Sequence, residues 1–211
     1  LQNLVNLKQL DLRYSQVLKE LPDLSEASNL EILILKSCVS LTRVNPSVFS
    51  LLKLKKLDIE WCLSLTILAS DSHLCTLSYL NLDSCKNLRE FSVISENLKV
   101  LILCLKKVKE LASYINNLTQ LLYLDVSRCK NLQTIPELPQ FLKTLIVKRC
   151  ESLQSLPELP LSLQTLLANG CTSMKTLLSF PSTADEQLKE NRKWVMFFNC
   201  LNLDNILRRL L

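Results

Sequence analysis

The chain has 211 residues, 48% of them hydrophobic, with a formal net charge of +5, one Gly, one His and nine Cys. A single Gly excludes the glycine-rich loops that cradle phosphates, which need several glycines for tight turns and close backbone approach. A single His, His73, excludes paired-His metal sites and most His-based triads; with Cys75 it makes two potential ligands without a second pair, and it is read as a loop residue.

The positive charge gathers late, at Lys143, Lys148, Arg149, Arg192, Lys193, Arg208 and Arg209. It lacks the density and stacking aromatics of a nucleic-acid groove. No run of about 20 apolar residues is present to span a membrane. No catalytic constellation, cofactor or metal is expected.

In chain order, one pattern returns: Leu-x-x-Leu-x-Leu-x-x-Cys-x-x-Leu. Its first Leu falls at Leu7, Leu30, Leu54, Leu77, Leu98, Leu121, Leu142 and Leu163, steps of 21 to 24 residues. Repeats of this length make solenoids in which each unit leans on its neighbours, and this period is that of leucine-rich repeats. The last two apolar positions of each opening stretch are two apart, which is strand spacing with one face buried. Units running one way with long connections require parallel strands. The expected fold is an α/β solenoid: a horseshoe of about eight repeats, with a parallel sheet on the concave face and short helical or extended Pro-containing returns on the convex face.

The slot after each strand holds Ser15 in the first unit and Cys38, Cys62, Cys85, Cys129, Cys150 and Cys171 in six others. One Cys per unit is a structural ladder and not a disulfide framework. Buried free thiols behave as small apolar groups with a weak donor. They indicate a reducing, cytoplasmic or nucleocytoplasmic setting. The unit between Leu103 and Leu111 is one residue short, with Val108 early and Lys106 in the slot, so its turn is expected to differ. Cys104 is expected to be exposed. The returns Ile135-Pro136-Glu137-Leu138-Pro139 and Leu156-Pro157-Glu158-Leu159-Pro160 should be extended, because Pro fixes φ and lacks an N–H. The longer return at 45–52 has room for a turn or two of helix.

Strand alternation predicts the outward columns. The middle column runs Asp11, Ile34, Asp58, Asn81, Ile102, Asp125, Ile146 and Leu167. The column before it includes Lys56, Tyr79, Val100 and Tyr123, and the column after it Glu60, Asp83, Cys104, Ser127, Lys148 and Asn169. Tyr79, Val100, Ile102 and Tyr123 are expected to form an apolar patch rimmed by Asn81, Asp83 and Asp125. With Ile146 this is the candidate protein-binding surface. Trp61, beside Cys62, is expected at the rim, packed in part against Tyr14.

The first residues already lie inside a repeat, without the polar cap a solenoid end needs. After a polar stretch at 182–193, residues 194–198 read as an apolar strand and 203–211 as a short helix. The division expected is a repeat array at 1–178 and a linker with the start of a post-repeat segment at 179–211. The chain is read as a fragment of a larger protein.

The spelling Leu-x-Leu-x-x-Cys-x-x-Leu-x-x-Leu-Pro, as in 124–136 and 145–157, resembles the repeat region of plant intracellular immune receptors. The nearest class joins a Toll/interleukin-1-receptor-type (TIR) domain, a nucleotide-binding domain and leucine-rich repeats (TIR-NBS-LRR). The short unit ending Val108-Lys109-Glu110-Leu111, the Leu-Pro-Glu-Leu-Pro returns and the tail Phe197-Phe198-Asn199-Cys200-Leu201-Asn202-Leu203-Asp204 are similar to that class. The resemblance implies a sensor segment contributing to pathogen effector recognition and autoinhibition. Its implied partners are an effector or guarded host protein and the parent's own nucleotide-binding domain, with no nucleic acid. No catalytic residue carries over. The alternative is an interaction module of another class, a bacterial effector or an F-box-type adaptor. The Cys ladder and the longer units speak against the first, and the second requires an upstream helical box.

Overall fold

The computed structural model describes residues 4–69, 74–92, 95–104, 109–111, 113–177 and 194–203. The chain divides into two units, Leu1–Leu105 and Lys106–Leu211. His73, Lys106 and Val108 lie outside the described residues.

In the first unit, β1 (Gln9–Asp11), β2 (Ile32–Ile34), β3 (Lys56–Asp58), β5 (Tyr79–Leu82) and β7 (Val100–Leu103) form one parallel sheet in that order. Pairing is in strict repeat register: Leu10 faces Leu33, Leu33 faces Leu57, Leu57 faces Leu80 and Leu80 faces Leu101. Slipping a strand by one residue would turn every inward Leu to the solvent, so the apolar pattern fixes the register. Leu33, Leu35, Leu57, Ile59, Leu80, Leu82 and Leu101 are fully buried. Each such side chain contributes about 1.5–3 kcal/mol by leaving water.

The return side carries a second, shorter ladder that the alternation did not suggest. Here β4 (Ile67–Ala69) pairs in parallel with β6 (Glu90–Ser92), and Glu20 bridges to Arg43. The return at 45–52 holds one 3-10 turn, Pro46–Ser50. Asn45 caps it, accepting from the Ser47 N–H at 3.0 Å, and Pro46 supplies a preset φ in the first turn. Val48 and Phe49 bury its inner side.

In the second unit, β8 (Tyr123–Asp125), β9 (Thr144–Ile146), β11 (Thr165–Leu167) and β13 (Trp194–Met196) pair in parallel in that order. On its return side, β10 (Ser155–Leu156) pairs with β12 (Thr176–Leu177). A 3-10 turn spans Ser113–Asn117. Residues 136–139 and 157–160 carry neither helix nor strand; four prolines over two short returns leave too few donors for either.

Among the described residues the returns hold 3-10 turns and no α-helix. The helical part of the α/β expectation is therefore reduced to single turns, and the fold is a parallel-strand solenoid. Returns of 21- to 24-residue units are too short for a helix once the second ladder and the prolines have taken their share.

Candidate functional site

The turn that follows each strand sets where the outward columns end. The residue before the slot has a left-handed backbone in rung after rung: Tyr14, Ser37, Trp61, Ser84, Arg128, Arg149 and Asn199 have φ between 57° and 64°, and Gly170 has φ of 78°. For a non-Gly residue this costs roughly 1–2 kcal/mol. The turn recovers it by joining neighbouring rungs. The Ser37 N–H donates to the Glu60 carbonyl at 2.7 Å, Trp61 to Asp83 at 2.9 Å, Arg128 to Lys148 at 2.7 Å and Gly170 to Phe198 at 2.8 Å.

The left-handed residue aims the next side chain inward, and that side chain is the ladder Cys. Cys38, Cys62, Cys85, Cys129, Cys150 and Cys171 are buried and reduced. The Cys38 thiol donates to the Leu12 carbonyl at 3.1 Å, Cys62 to Leu35 at 3.2 Å, Cys85 to Ile59 at 3.1 Å, Cys150 to Val126 at 3.1 Å and Cys171 to Val147 at 2.9 Å. Each thiol thus adds a second donor to a carbonyl of the preceding rung that already accepts a backbone N–H within its own turn, such as Leu35 from Cys38 and Ile59 from Cys62. Burial pushes the Cys85 thiol up to about 12 and also raises Cys38 and Cys62. Cys150 is raised first by its hydrogen bond with Cys171 and then by burial.

Cys200 belongs to the same series. Its thiol donates to the Ala168 carbonyl at 3.0 Å, following Asn199 at φ 60°. The polar stretch at 182–193 breaks the period, so spacing alone did not reveal it. The available signal was the rung spelling itself: Val195, Phe197, Cys200 and Leu203 fill the apolar, apolar, Cys and Leu positions.

Cys104 corrects an expectation. It is 2% exposed, not solvent-facing, and lies close enough to Cys85 to act on its thiol. Alternation from Leu103 would aim this side chain outward, yet it lies in the interior.

In the first unit, register sets Tyr79 between Lys56 and Val100, and Asn81 between Asp58 and Ile102. Tyr79, Val100 and Ile102 are half-buried neighbours, as expected of an apolar patch. Lys56 Nζ stands 4.7 Å from the Tyr79 ring centroid, a cation–π contact. Asn81 is not a rim residue. It is 5% exposed, donates to Asp58 Oδ1 at 3.2 Å and accepts from the Asp83 N–H at 2.9 Å. An amide between two acidic positions on the sheet face is more useful as their donor than as a contact group.

Asp58 is itself 8% exposed, and burial raises its carboxyl above the ordinary range. Lys36 pairs with Glu60 at 2.8 Å beside it. Trp61 is 41% exposed, with Lys86 Nζ 5.6 Å from its ring centroid.

In the second unit, Tyr123 and Thr144 pair, as do Asp125 and Ile146. Tyr123, Asp125 and Ile146 are half-buried. Asp125 Oδ1 accepts from the Ser127 N–H at 2.8 Å, which closes the turn below the strand. Burial, with Asp125 nearby, raises the Tyr123 hydroxyl.

Among the described residues no group of His, Cys, Asp and Glu is arranged to hold a metal, and no helix is long and apolar enough to cross a membrane. The outward columns offer hydrogen-bonding groups, aromatic faces and paired charges, a surface suited to recognition.

No protein-family model matches the chain. Disease resistance protein RML1A of Arabidopsis thaliana is 35% identical over 144 residues, 68% of this chain and 14% of that protein. Disease resistance protein RPP2A of the same plant is 38% identical over 137 residues, 65% of this chain and 10% of its own length. Disease resistance protein RPP4 reaches 45% identity over 93 residues, 44% of this chain and 8% of that protein. The chain therefore spans a small part of the curated relatives it matches. A leucine-rich-repeat protein of Leptospira interrogans, LIC12759, aligns over 85% of this chain and 80% of its own at 17% identity and a TM-score of 0.20. That likeness carries no weight, and the fold rests on the strand pairing above.

Proposed function

We propose a protein-binding role in plant immunity for this chain, which is related to the leucine-rich-repeat region of plant TIR-NBS-LRR disease resistance proteins. It acts as a sensor segment of an intracellular receptor. It contacts a pathogen effector or a guarded host protein, or holds the receptor's own nucleotide-binding domain in an inactive state. Its work is binding and not catalysis, without a cofactor, and it is done in the cytoplasm.

One observation carries this reading. The inward strand positions between the first and last strands are buried and form the core. Yet Tyr79, Val100 and Ile102 in the first unit and Tyr123 and Ile146 in the second place apolar groups half in solvent. Aromatic side chains held on a rigid sheet make good anchors, because little conformational freedom is lost on contact. The relatives favour the receptor over a bacterial effector or an F-box adaptor, since those named above are plant disease resistance proteins.

The test is a cell-death assay in leaves, using the receptor that carries this segment with Tyr79→Ala and Tyr123→Ala together. Loss of the response to effector means recognition. Signalling without effector means that an autoinhibitory contact has been broken. A double variant that accumulates normally and signals like wild type removes these residues from the functional surface.

A further inference from the structure

We infer that the outward strand face at the end of the second unit is a separate docking surface, and that its partner is a protein segment whose apolar side chains are flanked by Asp or Glu. This surface shares only Ile146 with the candidate residues above and does not depend on Tyr79 or Tyr123.

The register makes the surface. Thr165 pairs with Trp194 and Leu167 with Met196, so Trp194 and Met196 continue the outward columns, and Phe198 follows below Lys148 and Asn169. Trp194 is 67%, Met196 44% and Phe198 79% exposed. Leu167 and Ile146 continue the apolar face on the next two strands. Val195 is also exposed, but for another reason: it pairs with the inward Leu166 and lies open only along the edge of β13. A further strand beside β13 would cover Val195. It would leave the faces of Trp194 and Met196 open, since ladder neighbours cover edges and not faces. A contiguous exposed group of aromatic and aliphatic side chains marks a contact site far more often than scattered apolar residues do.

The charge beside it selects the partner. Lys148 is half-exposed in the same column as Asn169 and Phe198, and Arg149 is exposed in the turn that follows. The Arg149 stem lies across Gly170: a Cβ added there would meet Arg149 Cγ at 3.4 Å. The only Gly in the chain thus makes room for an arginine beside the apolar group. Neither cation has an ion-pair partner among the described residues, whereas Lys130 nearby is matched to Glu151 at 2.9 Å. Two cations without an ion-pair partner among the described residues, beside an apolar face, fit a polypeptide with apolar anchors and acidic flanks. They fit a nucleic acid poorly, because two cations are too few to track a backbone.

The test is fluorescence anisotropy at low salt with two fluorescein-labelled peptides that share the same Leu and Phe positions. One carries Glu between them and the other Lys; a labelled thymidine oligonucleotide is the third probe. The Glu peptide should bind about tenfold or more tightly than the Lys peptide. Trp194→Ala with Phe198→Ala should weaken it by about tenfold, in the range of aromatic anchors. Lys148→Glu with Arg149→Glu, a surface change that keeps the core, should reverse the preference. Tyr79→Ala should leave binding unchanged, which separates this surface from the one tested in leaves. Equal or tighter binding of the Lys peptide or the oligonucleotide, no binding of either peptide, or unchanged binding by the charge-reversed variant would overturn the assignment.

Discussion

The Asn81 side chain donates to Asp58 Oδ1 across adjacent strands, 3.2 Å away, and both residues are buried on the face that alternation assigns to solvent. Burial is the largest influence on the Asp58 carboxyl and raises it, while the Glu60 N–H hydrogen bond partly lowers it. The folded protein therefore holds this proton to higher pH than the unfolded chain, whose Asp titrates near about 3.9. In that window the native state binds more protons, so the stability tied to Asp58 is present at low pH and lost as pH rises. Asp58→Asn keeps an acceptor for the Glu60 N–H and removes the buried charge. Its melting temperature at neutral pH should exceed that of wild type, and the gap should close as pH falls toward about 4. A variant less stable than wild type at neutral pH would mean that Lys36 and Lys56 hold the carboxylate in place.

Thiol reactivity should follow the turn geometry and not the sequence spacing. Cys75 is exposed and Cys200 partly so, whereas the six regular ladder thiols and Cys104 are buried. Burial that raises a thiol also starves it of thiolate, the reactive form. Iodoacetamide labelling followed by peptide mass spectrometry should find Cys75 modified first, Cys200 next and Cys85 among the slowest. Cys104 reacting as fast as Cys75 would show that its side chain is not buried in solution.

The repeat register, the parallel strands, the buried ladder and the extended Pro-rich returns were all legible, because each follows from spacing alone. Apolar residues at two-residue intervals, with other kinds between them, leave one pairing that buries the Leu columns. What spacing could not reveal depended on local turns. Cys104 is buried where alternation aims it outward, in the unit that is one residue short. Asn81 went from rim to interior because its neighbour Asp58 needed a donor, a relation between residues 23 positions apart. The return ladder between β4 and β6 was hidden by its mixed side chains. The last rung, with Trp194, Met196, Phe198 and Cys200, was hidden by the polar stretch that interrupts the period.

Core truncation should report how far the stacking of rungs supports each position. Leu124 faces Leu145, and Leu145 has β8 on one side and β11 on the other; both are fully buried. Leu124→Ala and Leu145→Ala should each cost about 2–5 kcal/mol in denaturant unfolding, through lost transfer energy and the cavity left behind. Leu10 occupies the same position in the first rung but is only half-buried. Leu10→Ala should cost clearly less. Equal losses at all three would mean that Leu10 is covered in solution.

The column of left-handed turn residues gives a paired test of backbone strain. Gly170 adopts φ of 78° freely, while Ser37 takes 61° in the equivalent turn at a cost. Both N–H groups make the same inter-rung hydrogen bond, Ser37 to Glu60 and Gly170 to Phe198. The hydrogen-bonding demand is therefore matched and the conformational cost differs. Gly170→Ala should destabilise by about 1–2 kcal/mol from the left-handed backbone alone. The new Cβ would also press on Arg149 Cγ at 3.4 Å, a flexible stem that can shift by a few tenths of an ångström. Ser37→Gly should act in the opposite sense. It relieves strain in the folded state but frees the unfolded chain, so its gain should be smaller, about 0.5–1 kcal/mol. Denaturant unfolding of the two variants with unchanged m-values would read these as stability changes. If Gly170→Ala is neutral and Ser37→Gly destabilising, the turn is held by side-chain contacts and backbone strain does not govern this column.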